Sequence, residues 1–339
     1  MDQKLLINHA RFKKKPKVGG DTGENKYPDF FNNYAKKNYV LVDNNCLCGK
    51  NNDQLIANYD RYSVKFDTVI CKNCGLIRAL KYFSEENVSD FYKNHYRDIA
   101  NQLYILPHKI YEKQIEQGLK RYELIKEKSN VKIEGLKILD LGGGAGGTLE
   151  HFKNLNDVYL ADFHDPYLDY AKGKGIYVIK GGLKEISFKP DIIILSHVIE
   201  HWNNFENEIK NLINIQKINK TINYIEFPGV DSLKLGRREG DFFKDIHIPH
   251  VYYFSSYVFE NLMNRYGFEK LYIDSSISSL FIYTGVKKEL KNHFNQVKDD
   301  LLKAEFTRKK QIIKKIIKIF IPEKILSLRL RFKKWFKEF

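Results

Sequence analysis

Four kinds of side chain in this sequence have the types and spacing that chemistry requires. The only cysteines, Cys46, Cys48, Cys71 and Cys74, form two pairs 22 residues apart, each followed by a glycine. Four thiolates suit a closed tetrahedral zinc site, which holds a fold rather than reacting, and the glycines let the chain turn tightly behind each pair. A glycine run, GGGAGG from Gly142 to Gly147, follows the apolar segment ILDL directly, with Asp140 just before it and Asp162 about 20 residues on. A strand, a glycine turn and then a helix near Thr148 would bring backbone donors up to a nucleotide, and a carboxylate at the next strand's end can take a ribose diol. The run has no Lys-Ser/Thr of a phosphate loop, and its spacing departs from the dinucleotide fingerprint. Histidines gather in SHVIEHW (His197, Glu200, His201) and in DIHIPHVYYFS (His247, His250, Tyr253), and histidine is the natural base near neutral pH. Arg237 and Arg238 lie in a polar loop where arginine forks suit a diphosphate, and Glu226 closes the strand before it as a candidate to orient an acceptor.

The elements that must position these groups read as an α/β sheet. Between Gly135 and Gly285 short apolar strands alternate with helical stretches, as crossover connections require. Strands are expected at 136–141, 158–162, 176–180, 191–196, 221–227, 269–275 and 279–286, with helices near 147–154, 166–173, 204–217 and 255–266. Ile192 to Leu195 show no polar alternation, so that strand is covered on both faces. The last two strands leave no room for a crossover, so one runs antiparallel to its neighbour. Both histidine clusters then sit at carboxyl ends of strands, where open sheets bind ligands.

Around this sheet the chain divides into a lead-in over 1–40, a cysteine module over 41–80, a helical connector over 81–130, the main domain over 131–290 and a tail over 291–339. The connector should present Ile110, Ile115, Leu119, Tyr122 and Ile125 on one apolar face. The formal net charge is +15, but 12 Lys or Arg against Glu323 and Glu338 put +10 of it after Phe306. In that tail Ile312, Ile313, Ile316, Ile317 and Phe320, then Ile325, Leu326, Leu328, Phe332, Trp335 and Phe336 beyond Pro322, form an apolar stripe among Lys and Arg. A basic amphipathic helix of this kind can lie on anionic lipid or pack on the body or a partner subunit, whereas the weakly charged body disfavours nucleic acid as a partner. With no apolar leader or span, a cytoplasmic enzyme is expected, with the tail able to hold it at the inner face of the cell membrane.

ILDLGGGAGG and ADFHDPYLDYAKGKGI resemble the first and second motifs of class I S-adenosylmethionine (SAM)-dependent methyltransferases. The resemblance implies a Rossmann-like sheet with helices on both faces. It implies that Gly142, Gly144 and Gly146 line the methionine part of SAM and that Asp162 binds the ribose. Asp140 and His197 would flank the cofactor, with Gly182 and Leu183 beside the adenine. A cysteine ribbon (CKNCGLIR), a Tyr-rich connector (FYKNHY) and such a domain together are similar to the zinc-ribbon sugar methyltransferases of bacterial polysaccharide and antibiotic-sugar pathways. The carbon-methylating members carry Tyr-His-Glu-His before Tyr-Phe-Ser. This chain reads His247-Ile248-Pro249-His250 before Tyr253-Phe254-Ser255, keeping only the last histidine. His201 matches the histidine that those proteins carry after the fourth strand. The resemblance therefore implies an O-methyltransferase for a sugar hydroxyl of a nucleotide-linked or lipid-linked saccharide, with His250 or His201 as base. A sugar C-methyltransferase is the alternative, and an RNA methyltransferase is less favoured.

Overall fold

The computed structural model describes residues 26–99 and 106–320. Thirteen strands are described among them. Seven form the main sheet: β6 (Lys137–Leu141), β7 (Asp157–Asp162), β8 (Tyr177–Lys180), β9 (Ile192–Ser196), β10 (Ile222–Glu226), β12 (Phe268–Ile273) and β13 (Ser278–Tyr283), in the order β12-β13-β10-β9-β6-β7-β8. The five from β6 to β10 are parallel, and β13 runs antiparallel to both neighbours, as the missing crossover demanded. The order reverses between β6 and β9, which opens a crevice at their carboxyl ends.

Alternate residues of the central strands face opposite layers. Ile138, Ile192, Ile194 and Tyr224 bury into one apolar layer, and Leu139, Leu141, Ile193, Leu195 and Ile225 into the other. The second layer runs without a break into the cysteine module, since it also contains Cys46, Cys71, Cys74, Ile77 and Tyr82. That module is a four-stranded antiparallel sheet in the order β11-β4-β3-β2, from β2 (Asp53–Tyr59), β3 (Lys65–Cys71) and β4 (Ile77–Ala79). Its edge strand, β11 (Tyr252–Tyr253), comes from the segment after β10: Tyr252 pairs with Arg78 and Tyr253 with Ile77.

Two expectations are corrected by the packing. No α-helix follows the glycine run. Gly147–His151 form a single 3-10 turn instead, and the long helix Pro107–Ser129 lies across it. Consecutive glycines are poor helix formers, and here the backbones come close: a Cβ on Gly147 would land on the Tyr111 carbonyl oxygen. The long helix packs the expected face, with Ile125 buried and Ile110, Ile115 and Tyr122 against the core, except that Leu119 is 45% exposed. It also buries Tyr111, Gly118 and Arg121, and any side chain at Gly118 would meet the Thr148 backbone at 2.7 Å.

The helix Phe294–Phe320 closes the fold, burying Val297, Leu301 and Ala304 against the body. The expected stripe from Ile325 to Phe336 and the lead-in before Lys26 lie outside the described residues. Among the described residues no helix is long and apolar enough to cross a membrane.

Arg78 ties the cysteine module together from within. It is 1% exposed, pairs with Asp53 through two bonds of 2.8 and 2.9 Å, and donates to the Asn44 carbonyl at 2.8 Å. Removing one partner leaves the other buried and uncompensated, so Arg78→Ala should cost about 3 kcal/mol or more of folding stability. Chemical denaturation reads this as a lowered midpoint, and a loss under about 1 kcal/mol would show that the pair carries no such weight.

Candidate functional site

The crevice is built from the ends of β6, β7, β9 and β10. In the glycine run Gly142, Gly144 and Gly146 have φ of 67°, 58° and 83°, a left-handed backbone that other residues adopt at a cost. Gln114 of the long helix clamps the run, donating to the Gly143 carbonyl at 2.9 Å and accepting from the Gly147 amide at 3.3 Å. Asp162, at the end of β7, accepts from the Gly144 amide at 3.0 Å and from the His164 amide at 2.9 Å. This places a carboxylate beside the turn as expected for a ribose. Asp140 does not face the crevice: it is 1% exposed beneath the run, its Oδ2 accepts no hydrogen bond, and burial with the nearby Asp162 charge pushes its pKa up to about 7. It supports the turn from below.

Phe163, absent from the sequence expectations, is 72% exposed directly after Asp162. A Cβ on Gly182 would sit 3.5 Å from its ring, while Leu183 is buried. A wet aromatic face of this kind offers an adenine a stacking partner, and the signal for it was an aromatic residue beside the ribose carboxylate.

Arg121 was also missed, because apolar periodicity carries no sign of a charged side chain on a buried face. It is 6% exposed and donates to Glu226 (2.8 Å, β10), Thr148 (2.8 Å, the 3-10 turn) and Ser196 (2.7 Å, β9). Burial would raise the Glu226 pKa, but Arg121 and a 2.9 Å hydrogen bond from Tyr224 hold it below the usual carboxylate range. Glu226 is therefore an ionised strut in the wall of the crevice.

The histidines converge. His197 follows β9 with φ of 56°, fixed by its amide donating to the Glu226 carbonyl at 2.8 Å and its ring lying 3.2 Å from Glu200. Burial would lower its pKa, but the Glu200 carboxylate raises it. His201 Nδ1 lies 2.7 Å from the Pro249 carbonyl, a contact that a proton on Nδ1 satisfies. Tyr92, from FYKNHY, lies 3.1 Å from the same ring. The rings of His201 and His250 are 4.8 Å apart, and those of His250 and His247 3.9 Å. Burial, then the neighbouring imidazoles, pull His250 well below the usual histidine range, and burial does the same to His247, so both are neutral at pH 7. The ring of Tyr253 stands 5.9 Å from that of His250, and its hydroxyl hydrogen-bonds the His247 backbone. Val198, next to His197, borders the glycine turn, because a Cβ on Gly142 would meet it at 3.0 Å. Donor atoms of Glu200, His201 and His250 lie within 4.8 Å of one another, yet His201 and Glu200 are 3.8 Å apart. Ligands of one small ion lie closer, about 3.0–3.4 Å, so the arrangement suits proton transfer better.

Arg237 is not presented to a ligand. Its guanidinium meets Asp245 at 2.9 and 2.5 Å, Ser232 at 2.6 Å and the Gly229 carbonyl at 3.1 Å, which locks the loop. The Arg238 side chain stays 53% exposed, with Asp245 at 3.5 Å. On the far side of the module, Cys46 and Cys74 sulfurs are 3.5 Å apart and Cys48 and Cys71 sulfurs 3.7 Å, with no disulfide. Four sulfurs on one zinc lie about 3.8 Å apart, so the spacing fits. The turns close through Gly49 and Gly75 amides donating to Cys46 and Cys71 carbonyls at 2.8 Å.

With this geometry in view, residues 108–273 match a family model described as a methyltransferase domain, from the long helix to the end of β12. The chain carries a SAM-dependent methyltransferase domain. No curated protein matches the sequence. Among solved structures, this domain is similar to the magnesium protoporphyrin IX methyltransferase of Synechocystis PCC 6803, with 15% identity over 59% of this chain and 98% of that one, and a TM-score of 0.41. It is also similar to a possible histamine N-methyltransferase of Thermotoga maritima, at 15% identity over 59% and 95% with a TM-score of 0.38. A third is the YcgJ protein of Bacillus subtilis, at 17% identity over 44% and 68% with a TM-score of 0.34.

If Asp162 takes the ribose diol, Asp162→Ala should weaken SAM binding at least about 30-fold, the worth of charge-assisted hydrogen bonds to a carboxylate. Isothermal calorimetry with SAM and its demethylated product reads this directly, and unchanged affinity removes Asp162 from the site.

Proposed function

We propose that this enzyme O-methylates a hydroxyl group of a nucleotide-linked or lipid-linked saccharide. The observation that carries the reading is the half-buried, neutral His250 imidazole beside the ring of His201, whose segment borders the glycine turn through Val198. Methyl transfer is an in-line displacement at a sulfonium carbon. A hydroxyl acceptor must lose its proton as the new C–O bond forms, and SAM leaves as the neutral thioether. A neutral imidazole can take that proton, and Glu200 behind His201 can stabilise the charge. The exposed Arg238 is available to a diphosphate, and the ribbon, the Tyr-rich segment and the retained histidines support a sugar as acceptor. In the same reading the four cysteines hold a structural zinc.

Incubation with labelled methyl-SAM and a panel of nucleotide sugars and lipid-linked glycans tests the substrate. An O-methyl product fits the proposal, and a carbon-bound methyl or labelled tRNA overturns it. His250→Ala should cut turnover at least about 100-fold while SAM affinity holds. Because burial lowers the His250 pKa, its base form survives below the usual histidine value of about 6.5. The acid limb of the rate profile should therefore lie below that value, with activity lost only as pH falls through the depressed pKa. A limb at or above the ordinary value would exclude His250 as base.

Purified protein should carry about one zinc per chain, measured by atomic absorption. Cys74→Ser should lower zinc retention and thermal stability together. Full stability in a metal-free preparation would show that the thiols need no metal.

A further inference from the structure

We propose that the helix Phe294–Phe320 docks the enzyme on an anionic phospholipid surface, an inference that goes beyond the methyl-transfer reading. The helix has two apolar faces. At about 100° per residue, Val297, Leu301 and Ala304 share one face, and Phe306, Ile312, Ile313, Ile316 and Ile317 share another, centred about 130° round. The first face is buried against the body: Lys234 pairs with Asp300 at 2.7 Å, and the helix backbone at Ala304 approaches Gly240. Among the described residues the second face is left exposed. Phe306 is 59% exposed, Ile313 55%, Ile316 48%, Ile312 42% and Ile317 40%.

An exposed apolar stripe of this size must find cover, and its charge says what kind. Lys310 and Lys314 flank it, Lys309 lies within it, and all three are exposed. Lys310 stands over the Phe306 ring at 4.4 Å. Lys315, on the side nearer the body, pairs with Glu239. No acidic residue falls between Glu305 and Lys318. A second copy of the helix would bring like charges together, whereas anionic headgroups would accept the lysines while the isoleucines and Phe306 enter the acyl boundary. The helix is too polar to cross a bilayer, so it lies in the interface plane.

The full chain should co-sediment with phosphatidylglycerol/phosphatidylcholine vesicles, and far less with phosphatidylcholine alone, with binding weakened by salt. Ile312→Ser with Ile316→Ser should reduce that binding at least 10-fold, since both residues are exposed and their loss leaves the fold intact. Lys310→Gln with Lys314→Gln should reduce it about 25-fold at low salt, roughly five-fold per charge. SAM affinity, measured on each variant, should not move. Equal binding to both vesicle types, or undiminished binding by the isoleucine pair, overturns the proposal. So does a wild-type dimer in sedimentation velocity that this pair converts to monomer without any vesicle binding. Vesicle binding by a protein that methylates no saccharide would sink the substrate reading and leave this inference standing.

Discussion

The guanidinium of Arg121 ties together the elements that border the crevice. It reaches from the long helix to the 3-10 turn behind the glycine run, to the end of β9 and to the end of β10. Buried charges are costly unless paired and fully hydrogen-bonded, and this one meets an ionised Glu226 and two hydroxyls. Its demands fix the distance between the glycine turn and the ends of β9 and β10. His197, held in a left-handed conformation by the Glu226 carbonyl, starts the segment that carries Glu200 and His201. A shift of Glu226 would therefore be felt at the imidazoles.

A second constraint couples the cysteine module to those imidazoles. Two residues after His250 the chain becomes β11, the edge strand of the module's own sheet. Between them Val251 is held twice, its amide donating to the Glu200 carbonyl and its carbonyl accepting from the Ala79 amide, both at 2.9 Å. His250 is thus suspended between the main sheet and the module. Arg78 lies across from Tyr252 and also reaches Asn51, whose side chain accepts from the Cys46 amide at 2.9 Å. The thiol cluster and the histidine group share one hydrogen-bonded frame and one apolar core. A metal that stiffens the cysteines would stiffen that frame.

Electrostatics separates the groups by task. Asp140 and Asp162 lie close under the same turn, yet the deeply buried Asp140 is pushed toward protonation. Two carboxylates near one another are less costly when one is neutral. His250 and His247 are kept neutral by burial, while His197 beside Glu200 is biased the other way. The crevice therefore offers a neutral base and an ionised wall within one small volume.

Local rules were enough to read the main sheet. The unbroken Ile192–Leu195 run, the glycine turn after ILDL, the acid ending β7 and the cysteine pairs depend on side-chain period and turn chemistry, which sequence carries directly. The antiparallel last strand followed from loop length alone. Other features needed the assembled fold. Arg121 gave no signal because helical period counts apolar side chains. Gly118 lets the helix approach the Thr148 backbone, and a buried cation became its key contact. The helix expected at Thr148 shrank to one turn because the Pro107–Ser129 helix lies across that turn. Arg237, an apparent ligand fork, found Asp245 first. The strand after His250 is two residues long and pairs across more than 170 positions, so no window of sequence could hold it. Sequence alone determined which residue types stand at the strand ends, because those follow from period and turn. Only tertiary structure decided which of them face the crevice and which face each other, because partners distant in sequence compete for every buried polar group.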